Sequence, residues 1–358
     1  MLTNSRAWFT IFAVAAAAFS APAALAEDCN GNGVDDCDDI DAGMEDTNNN
    51  GLLDSCERAK GDLNLDGQVN GLDLGTLLLS WGPMPDPPGA CDPVVPAWAT
   101  LIEVAPDPAV VTSQALRDAI TATGLAWRVR DNASNIEMLL IPPGTFNMGC
   151  SPSANYGCNS YENPVHQVTL TQAFYMGRTE VTQAQWQAEM GNNPSYYSGQ
   201  PNNPVEQVSW NTIQGFLTQN SLRLPTEAEW EYACRAGTTT PFYNGSTDDS
   251  TLTTLAWYYY NTCSGGSGCG TRPVATKLPN GFGLYDTLGN VWEWCNDWDA
   301  SYASAAVTNP TGPSSGSYRL LRGGGWYNNS DYCRASSRGY SNPDSAGYVI
   351  GFRVARTP

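Results

Sequence analysis

The chain has 358 residues and a formal net charge of −19, with 36 Asp and Glu against 17 Lys and Arg. That balance disfavours nucleic acid and anionic lipid as partners, since both would be repelled. A single histidine excludes two-histidine metal sites, and eleven cysteines point to disulfides in an oxidising compartment with one thiol left over.

Residues 1–26 carry Arg6, an apolar run from Ala7 to Ala18 and the small-x-small site Ala24-Leu25-Ala26. The run is too short to span a bilayer and no stop-transfer pattern follows, so it reads as a signal peptide cleaved before Glu27. No other segment is apolar enough to span a membrane. The expectation is an exported chain, in the periplasm, at the cell surface or outside the cell.

Residues 27–60 hold two stretches with oxygen donors at calcium-loop spacing. The first is Asp28, Asn30 and Asn32, closed by Asp36 and Asp39; the second is Asp46, Asn48 and Asn50, closed by Asp54 and Glu57. Residues 61–82 hold a third, with Asp62, Asn64, Asp66, Asn70 and Asp73. A glycine at the sixth position of each loop allows the sharp turn, and the last carboxylate completes the shell. Gly61–Trp81 resembles one half of a dockerin, its loop leading into an amphipathic helix through Leu72, Leu77 and Leu78. The two upstream loops resemble thrombospondin type 3 repeats. A dockerin has two such halves, so a calcium-stiffened spacer and a docking module for a partner or cell surface stand as alternatives. Residues 83–125 read as a proline-rich linker and a short helix. Cys29, Cys37, Cys56 and Cys91 could form two bonds of open connectivity.

From about Ala126 tryptophan and tyrosine become frequent. Thr182-x-x-Gln185 and Thr226-x-x-Glu229 are capping boxes, with Gly191 and Gly237 as stops, and Ser209 opens a helix bearing Ile213, Phe216 and Leu217. Glu227, Glu229 and Glu231 read as dipole partners and solvated face of the second capped helix. Val168–Gln172 and Gly351–Ala355 read as strands. Proximity pairs Cys150 with Cys158 and Cys263 with Cys269.

Ile141–Gly149, Glu180-Val-Thr-Gln183, Pro204–Trp210, Arg223–Tyr232, Gly283–Trp294, Arg322–Cys333 and Gly351-Phe-Arg353 follow one another in the order found in the formylglycine-generating enzymes, the sulfatase-modifying oxidases. Residues 126–356 are identified as a member of that superfamily. The resemblance implies an α+β, C-type-lectin-like fold with little regular structure. It implies a calcium site with Asp286 and Glu293 as side-chain ligands and Gly289 and Val291 giving carbonyls, the alternative being a packed strand. It also implies a copper-binding pair of cysteines, oxidising the cysteine of a sulfatase Cys-x-Pro-x-Arg segment. Here Asn328 stands at the first cysteine of that pair and Gly325 replaces the preceding serine.

Cys333 falls on the second copper cysteine in one alignment. In another it lies where some members keep a disulfide to the helix bearing Cys234. Cys295 is then the odd thiol or a competitor of Cys234. His166 precedes a strand, as in the family, and reads as structural. Tyr327, Asn328, Tyr332, Tyr340 and Tyr348 lie in a segment of paratope-like composition and are candidate ligand-binding residues. Three functions follow: an exported calcium-binding protein with a non-catalytic binding or structural domain, a copper-dependent formylglycine-generating oxidase, or a chain docked through its N-terminal module.

Calcium removal is expected to make residues 28–73 sensitive to protease, because without cations they hold too little apolar surface to fold. Cleavage rates unchanged by chelator would contradict the calcium loops.

Overall fold

The computed structural model describes residues 93–264 and 268–358. The signal segment, the calcium loops from Asp28 to Asp73 and the first part of the proline-rich linker lie outside the described residues.

The first strand and helix precede residue 126. β1 is Ala99–Glu103, and α1, Gln114–Thr121, is capped by the Ser113 side chain. β2 is Arg128–Asp131, β3 Glu137–Ile141, β4 Gly144–Met148, β5 His166–Leu170 and β6 Phe174–Gly177. α2 is Gln183–Met190, α3 Trp210–Asn220, α4 Glu227–Arg235 and α5 Tyr259–Thr262. β7 is Trp292–Trp298, β8 Val307–Thr308, β9 Arg319–Arg322, β10 Arg338–Ser341, β11 Ile350–Gly351 and β12 Ala355–Arg356. The folded unit begins at Pro93. Thus residues 93–125 belong to it rather than to a linker, and β1 pairs antiparallel with β2.

Among the described residues three sheets result, in the orders β1-β2-β3-β6-β12, β10-β9-β7-β11 and β4-β5-β8. β3 is buried along Met138–Ile141, the continuous apolar run of a strand covered on both faces. The helices begin where the capping residues place them. Thr182 and Thr226 each accept from the third backbone N–H while Gln185 and Glu229 reach back. α2 stops at Gly191, in the left-handed region; α4 stops one residue before Gly237, at Ala236. Phe216 stacks on Trp186 at 5.6 Å and meets Phe352 edge-on at 5.5 Å, tying α2 and α3 to the C-terminal segment.

The strand expected over Gly351–Ala355 is two short strands in different sheets. β11 runs parallel to β7, and β12 pairs with β6. Between them Arg353 turns inward and is fully buried.

Arg353 exemplifies how this fold is held. With few regular elements, many loop carbonyls need donors, and a guanidinium offers five in a fixed fork. Arg353 grips both Glu293 oxygens at 2.6 Å and also donates to the carbonyls of Gly177 and Tyr285. Arg334 binds Glu162 at 2.6 and 2.8 Å and donates to the carbonyls of Ser151 and Asp331. Arg338 pairs with Glu227 at 2.6 Å and reaches the carbonyls of Tyr161 and Ala300. Arg322 and Arg235 share Glu231, and Arg322 also bonds the carbonyls of Ser336 and Ser337. The glutamates expected on a solvated helix face are therefore mostly inside: Glu231 is fully buried, Glu227 nearly so, and Glu229 pairs with Arg223.

Glu231→Ala leaves buried Arg235 without its counterion and Arg322 with only the 3.8 Å contact to Glu227, and is expected to cost about 3–5 kcal/mol. A urea midpoint close to the parent's would contradict this.

Candidate functional site around Trp326 and Cys333

The segment after β9 begins with Gly323 and Gly324, both at positive φ. A Cβ on Gly324 would stand 2.8 Å from Cys333 Sγ, so the chain folds back on itself only with glycine there. The returning loop buries Trp326. Its indole N–H donates to the Tyr348 carbonyl at 3.0 Å, and its backbone is held by Asn290 and Thr262.

Asn328 is a partly buried structural acceptor. Its Oδ1 takes the Trp292 indole N–H at 2.8 Å, its N–H donates to the Gly325 carbonyl, and its own carbonyl accepts from Tyr259. Cys333 is fully buried, and burial together with nearby Asp331 pushes its thiol well above the ordinary range. A thiolate, the form that binds copper(I), is disfavoured there.

The expected Cys234–Cys333 disulfide is not formed; both thiols are free, as is Cys295. Cys234 sits on α4 with Sγ 3.9 Å from the Thr287 carbonyl, whereas Cys333 Sγ packs against Gly324, so the two sulfurs have different neighbours. Burial pushes Cys234 up to about 12. The short bridges Cys150–Cys158 and Cys263–Cys269 are present. Among the described residues no group of three or more His, Cys, Asp or Glu could hold a metal ion. The donor set of one buried thiol and one bonded carboxamide does not fit copper.

The segment Asp286–Glu293 is a turn leading into β7, held by the protein's own groups. Glu293 is occupied by Arg353 and by the Trp230 indole N–H at 2.6 Å. Asp286 accepts from Ala275 N–H through Oδ2, while its buried Oδ1 has no partner; burial pushes this carboxyl up to about 6. Gly289 takes positive φ against the Trp257 carbonyl, and the Val291 N–H donates to Glu180 at 3.0 Å. Glu293 is thus the counterion of Arg353 rather than an open ligand. Of the two carboxylates expected to hold calcium, Asp286 alone keeps an unpaired oxygen.

Glu180 is a buried neighbour of this turn that sequence reasoning left without a role. It is fully buried, bonds Asn290 and Val291, and is pushed well up by burial with Asp286 and Glu293 nearby. Its signal was its place in the Glu180-Val-Thr-Gln motif, which carried no assigned role.

Two of the expected tyrosines, Tyr327 and Tyr348, meet in one surface. Tyr348 and Tyr327 flank Trp326 at 5.8 and 5.3 Å. Tyr196 joins at Tyr348, Tyr197 at Trp326, and Tyr259 with Tyr260 at Tyr327, forming a continuous chain of rings. Tyr196, Tyr260, Tyr327 and Tyr348 are all exposed. Tyr332 meets the Trp292 ring edge-on, and Tyr340 pairs instead with Tyr318. The Tyr196–Tyr197 turn is fixed by buried Glu206, which accepts the Tyr197 N–H at 2.7 Å. Beside it opens a cleft of about 380 Å³ lined by Tyr197, Asn203, Gly270 and Arg272, in which the buried Asn203 Oδ1 has no partner. His166 lies outside this surface, buried against Tyr302 at 4.8 Å.

Alkylation of the native chain is expected to leave Cys234, Cys295 and Cys333 unmodified, with all three reacting after denaturation. Rapid native labelling of Cys333 would contradict the buried site.

The sequence profile of the sulfatase-modifying factor enzyme 1-like domain matches residues 123–358. The formylglycine-generating enzyme of Streptomyces coelicolor is 39% identical over 184 residues, which is 48% of this chain and 58% of that protein. Its Bos taurus counterpart is 40% identical over 168 residues, 43% of this chain and 44% of that one. The chain thus spans less than two thirds of these relatives. Among solved structures, Treponema denticola variable protein 1 superposes with a TM-score of 0.55 at 33% identity, covering 62% of this chain and 95% of that one. PvdO from Pseudomonas aeruginosa superposes with a TM-score of 0.53 at 28% identity, covering 64% and 98%. No helix among the described residues is long and apolar enough to cross a membrane. The chain belongs to the sulfatase-modifying factor enzyme 1-like domain family.

Proposed function

We propose that the chain is an exported binding member of this family, which presents the tyrosine surface around Trp326 to a partner and does not oxidise it. One residue carries the reading. Asn328, where the resemblance expects the first copper cysteine, accepts the Trp292 indole N–H and fixes the loop that displays Tyr327. The same substitution that removes a thiol therefore supports a binding face. Rigid tyrosines supply large amphipathic contact area at small conformational cost, which suits recognition of a protein or surface ligand. The oxygen-rich loops at 28–73 would stiffen the N-terminal segment when they bind calcium, and the signal segment supports export.

A second reading has its own support in the identity to proteins named formylglycine-generating enzymes. It would make a sulfatase Cys-x-Pro-x-Arg segment the substrate. Incubating the full chain with copper, oxygen and such a peptide separates the two. The binding reading predicts no mass change to the aldehyde. Turnover that is lost in Cys333→Ser would establish the oxidase instead.

A further inference from the structure

A second concave site shares no residue with the tyrosine surface. A cleft of about 250 Å³ lies among β7, the first turn of α4 and the loop around β8. Ala228, Val307 and Pro310 give it an apolar wall, and its polar lining includes His166, Glu227, Asp297, Tyr302 and Arg338.

Asp297, on β7, is 4% exposed. Its Oδ2 accepts the Glu227 backbone N–H at 3.0 Å, at the start of α4, while Oδ1 accepts no hydrogen bond. His166 is 7% exposed, with Nδ1 3.1 Å from the Pro164 carbonyl. In the neutral ring Nδ1 therefore carries the proton, and Nε2 presents a lone pair with no protein donor. The other charged groups around the cleft are already paired. Glu227 takes Arg338 at 2.6 Å and the Tyr302 hydroxyl at 3.0 Å, Asp299 lies 3.9 Å from Arg338, and Arg319 covers Trp298 at 3.6 Å.

Two acceptors without protein donors therefore line a cleft whose other charged groups are paired, an arrangement that suits a ligand bringing several N–H groups on a small carbon body. We propose that this cleft binds a small primary ammonium compound, with Asp297 Oδ1 and His166 Nε2 accepting its N–H groups and Ala228, Val307 and Pro310 packing its apolar part. Burial, with Glu227 nearby, pushes the Asp297 carboxyl up to about 7, and a bound cation would favour its charged form. An anion would meet both carboxylates, and an alcohol brings one donor for two acceptors. The volume lies below the range of about 300–1,000 Å³ typical of drug-sized pockets, in keeping with a small ligand.

The chain's single histidine makes the test direct, because its imidazole NMR signals belong to His166 alone. The full chain would be titrated with isobutylammonium chloride, and separately with isobutanol and tetramethylammonium chloride. A saturable shift of the His166 signals is expected with the primary ammonium, at least tenfold weaker with either control. Asp297→Asn can still accept the Glu227 N–H and should keep the fold, yet bind at least tenfold more weakly. Ala303→Trp changes an exposed residue at the rim and should block the cleft without touching the core. Equal response to a control, parental affinity in Asp297→Asn, a shift that survives Ala303→Trp, or no saturable shift in the parent would overturn the proposal.

Discussion

The buried pairing of arginine with glutamate is the constraint on which this structure depends. A domain with short strands and long loops cannot satisfy its backbone through ladders alone. Arg322, Arg334, Arg338 and Arg353 each enter the interior, meet a glutamate, and distribute their remaining N–H groups to loop carbonyls. The carboxylate offsets the charge that burial would otherwise make prohibitive. Lysine could not substitute, because a point charge on a flexible stem lacks the planar fork.

These pairs also decide what the site can do. Arg353 holds Glu293 and the Tyr285 carbonyl, which fixes both ends of the turn that Glu180 clasps at Val291. Trp292 follows that turn and delivers its indole N–H to Asn328. Arg322 pins the far side of the same loop at Ser336 and Ser337. Between these anchors the chain shows tyrosine rings outward and keeps Cys333 inside. A buried, protonated thiol without a second sulfur has neither the nucleophilicity nor the soft donor set of a copper dithiol. A rigid aromatic surface is what the scaffold leaves available.

Features whose information is local were legible in the sequence. The capping boxes at Thr182 and Thr226 act within four residues, and the bridges Cys150–Cys158 and Cys263–Cys269 close short loops, so spacing was enough. Features set by distant partners were not. Arg334 meets Glu162 across 172 residues, and no periodicity announces it. The Gly351–Ala355 run looked like one strand because Arg353 in its middle passes for an outward polar residue, when it is the buried residue that splits the run between two sheets. The Cys234–Cys333 expectation came from resemblance, and the structure gives each sulfur a different neighbour. Of the tyrosine surface only Tyr327 and Tyr348 were visible in the sequence; Tyr196, Tyr197, Tyr259 and Tyr260 joined it only through the fold, and Tyr340 pairs elsewhere.

The central proposal is that Asn328 and Cys333 form a structural corner of a binding face, not half of a copper centre. Copper(I) titration against a competing chelator, on the parent chain and on Cys333→Ser, tests it most directly. The account predicts no retained equivalent that depends on Cys333. One tightly held copper per chain, lost on Cys333→Ser, would contradict it.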